Sequence, residues 1–270
     1  MSSIKDKMWF FALSSDYHRR KAVQCTWQEA AQRTQLRNLM GIGFSDEDIL
    51  AATGYDRLAV GLFPKRAEAD GPLDEPMDAH ERFVPFDDAE YPKSIHHVKE
   101  MIPRNGAIEA VVLDDWSTSM VLHMGATPQQ MRRLAGAAHA DPRIDLWGVY
   151  YVDWQLPRLP EYMSALDVAN VWAWFPERLD QVERHMDMID RSTGGKRFVV
   201  GVFTFDHARQ RSLPIETMNR QLDRALRWLE EERIEGISLL GSDWMAPKEN
   251  YPQVFASVSW TLDWLREIES

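Results

Sequence analysis

The chain has one cysteine, Cys25, so no internal disulfide framework holds it together. It has no apolar run approaching the roughly 18 residues a membrane-spanning helix needs, so no membrane partner is expected. The early stretch MWFFAL is too short for the apolar segment of a secretion signal. It runs into SSDYHRRK, where a small-residue cleavage site would be required. A cytoplasmic protein is the expectation. Positive charge is also short: 31 Lys and Arg stand against 42 Asp and Glu, for a net charge of -11. That balance repels a phosphate backbone and argues against DNA or RNA as the main partner. The glycine fingerprint of dinucleotide sites and the Walker phosphate loop are both missing. No G-x-S-x-G elbow appears, and Cys25 has no evident base beside it in sequence, so serine or cysteine nucleophiles are set aside.

What is present is a soluble-protein composition, 44% hydrophobic and 27% charged, over 270 residues, long enough for one large barrel domain. Eleven residues are Trp, most of them after position 115. Trp228, Trp260 and Trp264 fall within helical patterns and read as core packing. Tryptophans just past the ends of strands need another explanation.

From residue 108 onward, short apolar runs alternate with amphipathic segments. IEAVVLDD (108–115), IDLWGVYYVD (144–153), DVANVWAWF (167–175), RFVVGVFTFD (197–206) and EGISLLGSD (235–243) have the length and the β-branched or aromatic content of buried strands. Between them lie helices. Thr127 and Pro128 open one, Leu179, Val182, Met186 and Ile189 space the next, and Met218, Leu222, Ala225, Leu226 and Leu229 the third. In the first half, residues 8–15 and 57–64 read as two more strands. The stretch 26–40 reads as one helix, opened by a Thr26 and Glu29 capping box, and a short second helix runs from Ser45 to Gly54. Residues 65–89 form a long irregular loop, followed by a helix in EYPKSIHHVKEMI. Strand–helix alternation implies a parallel sheet covered by helices. The expected fold is a single (β/α) barrel of seven or eight strands over residues 1–270, with any missing strand between 65 and 105 or absent. An open doubly wound sheet is the alternative.

The strand ends repeat a motif. DDW (114–116), VDW (152–154), FDH (205–207) and SDW (242–244) each put Asp before a ring. In a parallel barrel the C-terminal strand ends converge on one mouth, where active sites sit. Asp115, Asp153, Asp206 and Asp243 would then meet although far apart in sequence. Several carboxylates in a wall of indoles suit a sugar. Rings cover its C–H face, acids accept from its hydroxyls, and glycosidic hydrolysis needs two acids. Asp114 and Asp115 are adjacent, so on one continuing strand they would face opposite sides.

The segment 171–242, with its W-x-W strand, its GVxxxD strand and RIEGISLLGS, resembles bacterial proteins with a glycoside-hydrolase-like (β/α) barrel. VVLDDW resembles the acid-bearing strand of several barrel glycosidases, and the likeness extends over about residues 108–268. It implies the barrel fold and action on carbohydrate.

The expected function is therefore a glycoside hydrolase with Asp115, Asp153 and Asp114 as candidate catalytic acids. Asp206, Asp243 and His207 would orient the sugar, and Trp116, Tyr151, Trp154, Trp172, Trp174 and Trp244 would line its subsites. Asp16 and His18, after the first strand, would reach the same mouth, with Arg19 beside them. No cofactor is expected. One competitor is a divalent-metal sugar isomerase or aldolase, with Asp115, Asp153, Asp206 and His207 as the ligands to test. The other is a carbohydrate-binding barrel without turnover. The sugar, its linkage and the oligomeric state are not legible.

Overall fold

The computed structural model describes residues 3–20, 25–62, 85–206, 209, 211–241 and 255–268. Most of the stretch expected to be a long loop, and His207, Asp243 and Trp244, lie outside the described residues.

Eight parallel strands close into a barrel. In chain order they are β1 (Met8–Leu13), β2 (Asn38–Ile42), β3 (Arg57–Leu62), β4 (Ile108–Leu113), β5 (Asp145–Tyr151), β6 (Val168–Trp172), β7 (Arg197–Phe203) and, after a short antiparallel pair β8 (Phe205–Asp206) and β9 (Arg211–Ser212), β10 (Gly236–Leu240). Around the barrel they follow the order β1, β10, β7, β6, β5, β4, β3, β2, and β1 pairs with both its neighbours, so no edge is left open. The fold is a (β/α)8 barrel, as the alternation predicts.

The strand that completes the eight is β2, inside the stretch expected to be one helix. The helix there, α2 (Trp27–Thr34), has the expected Thr26 and Glu29 capping box. It stops because Gln35 turns left-handed, at φ 57 and ψ 18. Asn38 to Ile42 then run extended between β1 and β3. Leu36, Leu39 and Met40 keep near-helical spacing, and no Gly or Pro marks the break, so local pattern alone reads on as helix.

The other helices are α1 (Ser15–Arg20), α3 (Asp46–Ala51), α4 (Glu90–Met101), α5 (Pro128–His139), α6 (Leu159–Met163), α7 (Leu179–Thr193), α8 (Ile215–Glu230) and α9 (Phe255–Glu267). Their buried stripes are those the 3.6-residue period marks: Leu179, Val182, Met186 and Ile189 on α7, and Met218, Leu222, Ala225 and Leu229 on α8. Gly194 ends α7 at φ 76, a left-handed cap that suits glycine.

Inside the barrel, side chains fill the axis. Trp9 meets Trp147 edge-on at 4.9 Å, and Phe11 meets Trp172 at 5.5 Å. Trp172 lies across Gly201, where a Cβ would come within 1.8 Å of the indole. The N-terminal end is closed by charge pairs. Arg57 binds Glu109 and lies 4.6 Å over the Trp9 ring, while Arg197 holds Asp145 at 2.6 Å and Glu235 at 2.8 Å. This plugged end leaves the C-terminal mouth for chemistry.

Candidate active site

β4 ends at Leu113, so Asp114 and Asp115 lie in the turn beyond it and are freed from strand alternation. The Asp114 amide donates to the Leu62 carbonyl of β3 at 3.2 Å, and its side chain is buried. Asp115 adopts the left-handed conformation, φ 47 and ψ 28, which Asp tolerates better than most residues. Its carbonyl accepts the Ser119 amide at 2.7 Å and opens a π-helix, Trp116–His123. A left-handed non-glycine residue followed by a π-helix is an uncommon backbone, of the kind found at functional sites.

Tyr151, the last residue of β5, draws the acids together. Its ring is buried and its hydroxyl donates to Asp115. Burial first, then the charges of Asp115, Asp114 and Asp153, hold this phenol well above the ordinary tyrosine range, so it stays a proton donor. Three carboxylates from two strand ends thus act on one hydroxyl.

Asp153 lies two residues past β5. One of its oxygens accepts the Trp174 amide at 2.5 Å and the other the Phe175 amide at 3.3 Å. Burial raises its pKa, against the opposing pull of those amides and of Arg178.

Beside the acids stands an aromatic shelf. Tyr151 meets Trp154 at 5.4 Å and Trp174 at 5.7 Å, both edge-on. Trp154 and Trp174 lie 6.3 Å apart, and Trp154 is 6.5 Å from Phe175. These two indoles and Phe175 are half-buried, so apolar ring surface faces solvent next to the carboxylates. Phe175 was not singled out from sequence; its signal was its place directly after W-x-W.

Other expected site residues are placed differently. Trp116 is fully buried. It packs on the outer side of β5, where a Cβ at Gly148 would come within 2.5 Å of its Nε1, with Tyr162 at 5.9 Å. Trp172 is the barrel plug described above. Neither presents a face to a sugar, because one is turned behind the sheet by the left-handed Asp115 and the other sits a layer too deep. Asp206 does not end a barrel strand. It belongs to the β8–β9 pair, is buried, and is held by Arg209 at 3.2 Å and Arg211 at 3.5 Å. Asp16 is exposed on α1, and His18 is buried with Nδ1 3.1 Å from the Cys25 carbonyl.

At the opposite end of the barrel a shallow hollow is lined by Lys7, Lys196, Arg197 and residues 232–235. Arg197 is spent on Asp145 and Glu235, and Arg233 pairs with Glu183 and Asp187. That hollow belongs to the closed, stabilising end. Among the described residues no group of three His, Cys, Asp or Glu side chains is arranged to hold a metal ion. No helix among them is long and apolar enough to cross a membrane.

No protein-family model matches the chain, and no curated protein matches it in sequence. Solved structures do match in fold. An Anoxybacillus alpha-amylase superposes with a TM-score of 0.58 at 11% identity, over 99% of this chain and 78% of the amylase. Active domain 2 of a Pyrococcus furiosus chitinase gives 0.54 at 10%, over 95% and 96%. A xylanase-A-amylase inhibitor protein gives 0.54 at 10%, over 93% and 97%. At such identity the likeness concerns the fold. The chain shares the closed (β/α)8 barrel of glycoside hydrolase structures, the fold that its own strand–helix alternation and W-x-W strand point to.

Proposed function

We propose that this barrel is a carbohydrate-active enzyme that hydrolyses glycosidic bonds at its C-terminal mouth. The observation that carries the reading is the hydrogen bond from the Tyr151 hydroxyl to Asp115, with the Asp114 charge acting on the same phenol, beside the half-exposed Trp154 and Trp174. Glycosidic cleavage needs one acid to protonate the leaving oxygen and one carboxylate to attack the anomeric carbon or activate water. Asp115, which accepts from Tyr151, is assigned the carboxylate role, since a donated hydrogen bond favours the ionised form. Asp114, on the same turn, is assigned the proton. Trp154 and Trp174 would cover the C–H face of the sugar.

A screen of chromogenic glycosides, with and without EDTA, tests this. Turnover insensitive to chelator is expected, and Asp115→Asn should lower kcat by at least roughly 10²-fold, the scale of a lost acid–base group. Turnover that requires added divalent cation would instead favour the isomerase or aldolase reading.

A second reading is a sugar-binding barrel without turnover. It is favoured by the engagement of both Asp153 oxygens with backbone amides, which removes one of the sequence's candidate acids from open duty. In that case Trp154→Ala or Trp174→Ala would abolish binding, while Asp115→Ala would weaken it modestly and no glycoside would be cleaved.

A further inference from the structure

Asp153 carries its carboxylate into the backbone of a neighbouring loop. Its two oxygens go to two consecutive amides, those of Trp174 and Phe175, in the loop that follows β6. Its own main chain leads directly into Trp154. A single residue therefore ties the two halves of the aromatic shelf. Its backbone carries one indole, and its side chain fixes the peptide that carries the other. Trp174 is further bounded by Phe203 at 5.7 Å and Tyr151 at 5.7 Å, edge-on to both, so the pinned peptide sets where that indole can stand.

We propose that Asp153 is a positioning residue that builds the sugar-stacking subsite, and that the proton and charge chemistry falls to Asp114 and Asp115. A proton placed on either Asp153 oxygen would weaken the bond that oxygen accepts from its amide, and the shelf would loosen in the same step. To hold the shelf, it need only remain an acceptor. This assignment rests on the reading of the mouth as a glycosidase site, and its structural half stands apart from it.

Two measurements decide the matter. In the free protein, amide hydrogen exchange at Trp174 and Phe175 should quicken at least about 10-fold in Asp153→Ala, while amides of β1 and β2 keep their protection. No sugar is needed. Unchanged exchange at 174 and 175 overturns the proposal whatever the enzyme acts on. With a chromogenic glycoside that the wild type turns over, Asp153→Asn, which keeps one acceptor oxygen, should raise KM about 10-fold and leave kcat within about 3-fold. Trp174→Ala should raise KM likewise, and the double variant Asp153→Asn with Trp174→Ala should add little to Trp174→Ala alone. A fall in kcat larger than the rise in KM for Asp153→Asn makes Asp153 a catalytic residue and overturns the proposal. Should Asp153→Ala fail to fold, the Asn variant serves both measurements. The two levels separate: a wild type that cleaves no glycoside removes the glycosidase reading, and full turnover by Asp115→Asn removes the catalytic role of Asp115, while the exchange result still decides whether Asp153 holds the shelf.

Discussion

Asp115 shows how much a single residue can redirect. Had its backbone stayed extended, Asp114 and Asp115 would have faced opposite sides of β4. Because the strand stops at Leu113 and Asp115 turns left-handed, both carboxylates come within electrostatic reach of Tyr151. Charge at other single positions serves the fold. Asp141, in the turn before β5, accepts from the Arg143 guanidinium and from its amide, and its carboxyl is pulled down to about 2. The folded value lies below the unfolded one, so its contribution is present above the ordinary Asp range and lost as pH falls through about 2. An NMR titration of the folded protein should place the Asp141 midpoint near 2. Arg143→Ala should return it toward the ordinary carboxylate value.

The elements show why period is a good guide to faces and a poor one to depth. Strand alternation puts Trp172 and Trp174 on the same side of β6 and its extension. Trp172 plugs the barrel against Phe11 and Phe203, whereas Trp174 reaches the shelf. The plug depends on the missing side chain of Gly201. A methyl there would meet the Trp172 ring at 1.8 Å, and backbone on both sides is locked in the sheet. Gly201→Ala should therefore cost roughly 1–3 kcal/mol or more, as overpacking does, measurable as a lower denaturation midpoint at unchanged slope. The helices are the opposite case. Capping boxes at Thr26, Ser45 and Thr127, and the apolar stripes of α7 and α8, are local features, and each was readable in sequence. The missed strand β2 had no such marker. Its start rests on a left-handed Gln35, which no residue preference announces.

For the whole molecule, closure is the property that matters. β1 joins β2 on one side and β10 on the other, so residues 8–13 unite the first and last strands of the barrel. Trp9 and Phe11 from the same strand fill the axis. Removing residues 1–14 would open two ladders and empty part of the interior at once. The truncated chain should lose cooperative thermal unfolding and expose apolar surface to a dye such as ANS, as compact states without fixed packing do. Loss of the last turn of α9, by contrast, should leave a cooperative transition.

The alternation of strands and helices, the buried stripes of α7 and α8 and the acids of DDW and VDW just past two barrel strands were legible in the chain, since each depends on neighbours a few residues away. Which of those acids meet was not. Asp115 accepts from the Tyr151 phenol, which also feels the charges of Asp114 and Asp153, while Asp206 is taken by Arg209 and Arg211, and nothing in DDW, VDW and FDH distinguishes them. Likewise Trp154 and Trp174 face solvent while Trp116 and Trp172 are buried, although all four flank strand ends. Those outcomes follow from strand tilt and stagger and from turns beyond the strands. They are set by contacts between residues tens to hundreds of positions apart, so only the closed barrel could decide them.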